Sequence, residues 1–251
     1  MSNLKVVVVG SNGEVGKAIC SLVEEKHDLF RVDLLFDRKS APSYRFDVMH
    51  VNIPFSDDFV DIVVDYIKLF KPKLVLIEST VPVGTTFKVM ASTKYGSVAH
   101  SPIRGVHSRM LQDLKRYVKF IGPTTESAGI QANTYYKSLG LKCCVCEDSK
   151  QTELFKLLNT SYYGILCAWS WHMWRICQMF GVDYDGMKEF IKTTNAFVPR
   201  PVMYPPLGGF GGHCVLENAL LLQSQLSACF DSPDPMLDDI LEIGKVHEAA
   251  G

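Results

Sequence analysis

Apolar positions along the chain fall into short unbroken runs that alternate with stretches of helical period. Residues 5–9 form a continuous β-branched run, the pattern of a strand covered on both faces. A turn containing Gly10, Gly13 and Gly16 follows, then a helical stretch over about 15–26. The pattern predicts a second strand over 32–36, ended by Asp37, and a loop over 38–44 with Pro42. Residues 47–53 read as a strand ended by Pro54, 57–70 as an amphipathic helix, and 74–77 as a strand leading into the turn-rich 79–86. Short strands are predicted at 97–100, 117–121 and 142–146, with a helix over 127–139 ahead of the last. Strands alternating with helices predict an α/β fold with a doubly wound, mostly parallel sheet.

The pattern changes after Asp148. Residues 151–180 contain no proline and one glycine, Gly164, so one helix of roughly 45 Å is expected there. Gly181-Val182-Asp183 ends it, and a second helix runs over 184–192. Residues 199–212 are a loop rich in proline and glycine, and helices resume at 215–228 and 236–249. The chain therefore divides near residue 148 into a sheet domain, 1–148, and an all-helical domain, 149–251, with one long helix. That helix carries Tyr162, Tyr163, Trp169, Trp171 and Trp174, more aromatic surface than a small domain covers, which implies packing against a second copy.

Composition narrows the function. The chain has 251 residues, 47% of them hydrophobic and 21% charged, and a net charge of −1. Nothing in that balance draws it to nucleic acid or to an anionic membrane, so an anionic ligand has to be held by local groups. The eight cysteines are scattered and no secretory signal precedes the first strand, which points to reduced thiols in the cytoplasm. Cys143, Cys144 and Cys146 lie on a strand, where neighbours point to opposite faces, so they pack rather than bind metal. The apolar stretch 157–174 is broken by Asn159, Ser161, Ser170 and His172 and is shorter than the ~20 apolar residues of a membrane span; a buried helix is expected.

The turn Gly10-Ser11-Asn12-Gly13-Glu14-Val15-Gly16 follows a buried strand and opens a helix. Glycines there let backbone amides approach a pyrophosphate at the positive end of the helix, the arrangement of a Rossmann-type dinucleotide site. Asp37 follows Gly16 by about 20 residues, the position of a carboxylate that accepts from the adenosine ribose and repels a 2′-phosphate. NAD is favoured over NADP on that ground, with Arg38 and Lys39 beside it as possible phosphate partners. The alternative is a sheet of the same type with a vestigial nucleotide site.

Leu74-Val75-Leu76-Ile77-Glu78-Ser79-Thr80-Val81-Pro82-Val83-Gly84-Thr85-Thr86 resembles the strand and S-T-V-P-x-G-T-T signature of the UDP-glucose/GDP-mannose dehydrogenase family. Residues 47–54, ending in Ile53-Pro54, resemble the family strand that ends in V-P beside the nicotinamide. Ser101-Pro102-Ile103-Arg104 resembles its S-P-E-R segment, Glu153-Leu154-Phe155-Lys156-Leu157 its E-L-x-K-L helix, and Gly211-Gly212-His213-Cys214 its glycine-rich catalytic loop. The resemblance implies an NAD-dependent oxidation of a nucleotide sugar's primary alcohol to a carboxylate. It implies Cys214 as nucleophile, adding to the aldehyde that the first hydride transfer leaves, and Lys156 as the ammonium that stabilises developing oxyanion charge. It places Ser79 and Thr80 beside the nicotinamide, and Gly211, Gly212 and His213 at the sugar. Gly208 and Arg200 are expected near the substrate as well, and Arg104 and His107 either help hold an anion or are plain surface residues. A homodimer through the long helix is also implied.

Several positions depart from that pattern. The S-P-E glutamate falls on Ile103. The aspartate expected four residues after the cysteine falls on Asn218, beside Glu217. The asparagine expected four residues after the lysine falls on Thr160, beside Asn159. The stretch between Asp37 and Asp47 is shortened by a helix and a strand, and the matched segments describe a short form without the family's third, UDP-binding domain. These departures bear on water activation and nucleotide grip, and leave a single alcohol-to-aldehyde step open. Two other readings stay open: a β-hydroxyacid dehydrogenase, which needs no thiol, and a non-catalytic NAD-binding module.

Overall fold

The computed structural model of the chain describes residues 3–93, 97–198, 214–227 and 234–248, without the side chains of His107 and 244–248. It contains two compact units, Met1–Lys156 and Leu157–Gly251.

The first unit runs β1 (Lys5–Val9), α1 (Glu14–Glu24), β2 (Asp28–Val32), β3 (Val48–Val51), α2 (Phe59–Phe70), β4 (Leu74–Ile77), α3 (Thr85–Thr93), β5 (Val98–His100), α4 (Met110–Arg116), β6 (Lys119–Pro123), α5 (Glu126–Ser138) and β7 (Cys143–Val145). Among the described residues these strands form one sheet in the order β2-β1-β3-β4-β5-β6-β7. β1 to β5 are mutually parallel, β6 is antiparallel to β5, and β7 is parallel to β6. Both faces are covered, which is why the central strands are unbroken apolar runs. Val6, Val8, Leu74, Leu76 and Tyr136 pack on one face; Val7, Val9, Met49, Phe59, Phe70 and Ile77 pack on the other. The strand order reverses between β1 and β3, and a parallel sheet opens a crevice beyond its carboxyl ends at that point.

Two parts of the expected pattern need correction. The second strand is Asp28–Val32, not 32–36. Its register on β1 pairs Lys5 with Asp28 and Val9 with Val32. As a sheet edge it tolerates the exposed Asp28 and Arg31 that masked it as a strand, while the apolar Leu34 and Leu35 lie outside it, 96% and 100% exposed. From there to β3 the chain forms only a short 3-10 turn, Arg38–Ser40, consistent with the shortening read from the sequence. Helices α3 and α4 were also not predicted. The sequence of α3, Thr-Thr-Phe-Lys-Val-Met-Ala-Ser-Thr, has little helical periodicity and is rich in β-branched residues. Tertiary contacts described below fix its start.

In the second unit α6 (Ser149–Met179), whose first two turns belong to the first unit, is followed by α7 (Tyr184–Asn195), α8 (Cys214–Ser227) and α9 (Pro235–Glu248). Gly181, at φ 63°, ends α6, and Asp183 caps α7 by accepting from the Asp185 and Gly186 amides. At Gly164 a Cβ would stand 2.9 Å from Val215 Cγ1 and 3.0 Å from Ile240 Cδ1, so the glycine lets α8 and α9 close on α6. One face of α6 is core, with Leu157, Cys167 and Ala168 buried; the opposite face is not, and the fully buried helix expected over 157–174 is half-exposed. Among the described residues no helix is long and apolar enough to cross a membrane, and no group of three or more His, Cys, Asp or Glu side chains converges on a metal position. Cys143 is half-buried, and Cys144 and Val145 are exposed.

Candidate functional site

The glycine turn is built for close approach. Gly10 has φ 78°, a left-handed conformation that a side chain resists, and a Cβ there would overlap the backbone oxygen of Asn52 at the end of β3. A Cβ on Gly16 would overlap Gly10 O, so α1 starts as near to β1 as backbone allows. Gly13 is the N-cap of α1 and offers no side-chain cap, so the first-turn amides point outward at the positive end of the helix. This cradle at the sheet's switch point fits a dinucleotide pyrophosphate.

Asp37 does not occupy the strand end. Its carboxylate caps the 3-10 turn by accepting from the Lys39 amide at 2.9 Å. Asp33 stands there instead, directly after β2, with Oδ2 accepting from the Asn12 amide at 2.7 Å and Oδ1 from the Leu34 amide at 2.9 Å. Asp33 is therefore the acid tied to the glycine turn. Arg38 lies 3.4 Å from Asp65 and 5.5 Å over the Tyr66 ring.

On the other side of the crevice the motif segments converge on the start of α6. Ser79 Oγ donates to Val51 O at 3.3 Å. His100 sits between two of the segments: Nε2 donates to Ser79 O at 3.1 Å and Nδ1 accepts from Thr152 Oγ1 at 2.8 Å. Burial holds His100 neutral by pushing its pKa down to about 3, which agrees with that tautomer. Glu153, with no exposure, accepts from the Gly84 amide at 2.6 Å, the Thr86 amide at 2.8 Å and Thr86 Oγ1 at 2.6 Å, which fixes the start of α3. Lys156 Nζ donates to Ile103 O at 2.9 Å. Thr80 is half-buried just beyond Ser79; Ile53 is half-buried and Pro54 exposed at the end of β3.

Beneath these segments lies a polar cluster that the sequence reading missed. Glu78, fully buried, accepts from His50 Nδ1 at 2.9 Å and from Tyr136 OH at 2.8 Å, and pairs with Lys119 at 3.3 Å. His50 Nε2 is 2.8 Å from Tyr135 OH. Lys119 Nζ also donates to Ser101 O at 2.6 Å. Burial alone would raise the Glu78 pKa, but the His50 and Lys119 charges and the hydrogen bonds from His50 and Tyr136 outweigh it and hold it at about 2. Burial pulls Lys119 down to about 8 against the attraction of Glu78. The only trace in the sequence was a histidine inside a four-residue strand otherwise apolar.

Other expected site residues are placed differently. The Ile103 side chain is 5% exposed and part of the hydrophobic core, so no acid stands at that position. Arg104 donates to Val118 O at 2.6 Å and lies 4.9 Å over the Phe120 ring. In the second unit Cys214 is half-buried and opens α8; Asn218, one turn on, is 4% exposed with its Nδ2 unpartnered among the described residues. Asn159 and Glu217 are exposed, and Thr160 is half-buried. Gly208, Gly211, Gly212, His213 and Arg200 lie outside the described residues. A cavity of about 470 Å³ lies elsewhere, beside Thr125, Ile130, Val145 and Cys146, and no residue of the candidate site borders it.

A doubly wound sheet with a glycine-cradled helix start, followed by a unit headed by a long helix, is the architecture found in dinucleotide-dependent dehydrogenases. The chain belongs to the UDP-glucose/GDP-mannose dehydrogenase family. It is 31% identical over 179 residues to a UDP-N-acetyl-D-mannosamine dehydrogenase of Methanococcus vannielii, a match covering 71% of this chain and 38% of that protein. The chain thus matches less than half the length of such relatives. No protein-family model matches it. A UDP-D-ManNAc dehydrogenase from Pyrococcus horikoshii has the same fold at TM-score 0.80 and 19% identity, over 98% of this chain and 69% of that one. A 3-hydroxyisobutyrate dehydrogenase of Mycobacterium tuberculosis aligns at TM-score 0.73 and 15% identity, over 99% of this chain and 94% of that one.

Proposed function

We propose that the protein is a cytoplasmic, NAD-dependent oxidoreductase acting on the primary alcohol of a nucleotide sugar, a UDP-sugar in the first place. The observation that carries this reading is the start of α6, where Thr152, Glu153 and Lys156 tie down the His100, Gly84–Thr86 and Ile103 segments. Those are the stretches whose sequences resemble the family's active-site motifs, and the named relatives agree in substrate class.

In this reading residues 1–148 hold the cofactor and 149–251 form the helical, dimerising part. Gly10, Asn12, Gly13, Glu14, Val15 and Gly16 line the pyrophosphate, and Asp33 takes the ribose role first given to Asp37. Ile53, Pro54, Ser79 and Thr80 flank the nicotinamide, which when bound accepts hydride from the alcohol carbon. Lys156 supplies the ammonium that favours oxyanion character on the substrate oxygen. Cys214 supplies the thiolate that adds to the aldehyde, and its place at the start of a helix favours negative charge. The resemblance gives Gly211, Gly212 and His213 a part in holding the sugar, and Arg104 a part in holding an anion. Ile103 and Asn218 offer no carboxylate to activate water, which bears on hydrolysis of a Cys214 thioester; one NADH per sugar would mark a single alcohol-to-aldehyde step, and two the full oxidation.

The test is a panel of UDP- and GDP-sugars with NAD, following NADH absorbance beside a Cys214→Ala control. Cys214-dependent NADH formation supports the reading, and its stoichiometry counts the steps. Silence on the whole panel would sink it. The near-complete overlap with the length of a 3-hydroxyisobutyrate dehydrogenase favours one alternative, a small hydroxy acid as substrate. In that case turnover survives the Cys214→Ala change.

A further inference from the structure

Two lysines share a run of three consecutive carbonyls. Lys119 Nζ, from β6, donates to Ser101 O at 2.6 Å and reaches Pro102 O at 3.5 Å. Lys156 Nζ, from α6, donates to the next carbonyl, Ile103 O, at 2.9 Å. Ser101 has further ties, its amide to Ile77 O at 2.8 Å and its hydroxyl to Phe120 O at 2.7 Å. Pro102 has no N–H, so the course of the chain beyond Ser101 rests heavily on what its carbonyls meet.

Lys119 itself is held from below. Its side chain is 3% exposed, and its counter-charge, Glu78, has no exposure and is fixed by His50 and Tyr136. A buried ion pair is often no more stabilising than well-packed apolar side chains of equal volume. Fold stability alone therefore gives weak reason for this pair, whereas the carbonyl contacts give a geometric one. We propose that Lys119 is a positioning residue: anchored by Glu78, it grips the Ser101 and Pro102 carbonyls, presents Ile103 O to Lys156, and so fixes where the Lys156 ammonium stands. The functional weight of this rests on the reading of Lys156 as the cation at the substrate oxygen.

The experiment uses the full chain without cofactor or substrate, so it does not depend on turnover. The double variant Glu78→Gln/Lys119→Met removes the pair together, so neither partner is left as a lone buried charge. Acetylation of Lys156 by acetic anhydride is read by mass spectrometry against the exposed Lys17 as internal standard. Amide exchange is followed in a peptide spanning 101–106. The expected result is wild-type labelling of Lys17, with Lys156 labelling and segment exchange both raised about tenfold, the protection that one hydrogen bond to a charged group confers. Wild-type values for both in a folded double variant overturn the proposal. If that variant does not fold, Lys119→Arg decides. It keeps the charge beside Glu78 but not the point donor, so Lys156 labelling rises at an unchanged melting temperature, and unchanged labelling refutes the role. Where a nucleotide sugar is turned over, both variants lower kcat while KM for NAD stays put. Wild-type silence on every sugar ends the functional reading and leaves the labelling result standing.

Discussion

Glu78 has no exposure, so water does nothing for its charge, and its neighbours must. Removing the carboxylate by Glu78→Gln leaves the Lys119 ammonium buried without a counter-charge, at an expected cost of about 3–5 kcal/mol in urea unfolding. The pH dependence follows from the sign of the shift. The Glu78 pKa is depressed from 4.5 to about 2, so its contribution is complete above about pH 4.5 and is lost as pH falls toward 2. Lys119 is depressed from 10.5 to about 8, so burial disfavours its charged form, and stability is again gained as pH rises across that interval. Glu78→Gln should erase the acid limb of the stability profile; a variant that keeps the limb would show that other carboxylates produce it. Asp33 and Asp37 give a second contrast at this scale. Asp33→Ala should weaken NADH binding by about tenfold, the scale of a charge-assisted hydrogen bond, while Asp37→Ala leaves it unchanged. Calorimetry with the order reversed would return the ribose role to Asp37.

At the scale of elements, α3 depends on a residue from another helix. Its sequence has weak helical character, and Glu153 satisfies the Gly84 and Thr86 amides at its start. Glu153→Ala should therefore cost about 1–2 kcal/mol, as loss of an N-cap does, and speed exchange of the Gly84 and Thr86 amides ahead of the sheet. Exchange unchanged at those amides would mean α3 is held by packing alone. The same dependence explains what the sequence disclosed. β1, β3 and β4 announce themselves because strands covered on both faces are mostly apolar, with His50 the polar exception in β3. α6 was legible because thirty residues pass without proline. β2 was displaced by a few residues because an edge strand carries exposed Asp28 and Arg31, and the apolar Leu34 and Leu35 that follow it are not in the sheet. Glycines at 10, 13 and 16 carry their spacing in the sequence. The Glu78 cluster does not, because it joins residues from β3, β4, β6 and α5 that only the strand order brings together.

At the scale of the molecule, α6 presents an apolar stripe that is exposed among the described residues. Phe155, Tyr162, Trp169 and Ile176 recur every seven residues, and they are 48%, 54%, 58% and 47% exposed. Leu158 and Met179, at 48% and 79%, widen the same face. A seven-residue apolar repeat on a helix is the seam along which another helix packs, and isologous contact between two copies is the commonest closed arrangement of soluble proteins. Contiguous apolar surface of this kind is costly to leave in water, at about 25 cal/mol per Å². The expected state is thus a dimer joined along α6. Sedimentation velocity should show it for the wild-type chain, and Trp169→Glu, which places a charge in the seam, should convert it to a monomer with the far-UV spectrum unchanged. The wild-type protein sedimenting as a monomer at tens of micromolar would remove the dimer. The stripe would then require a different cover, and the search would turn to a partner of another sequence.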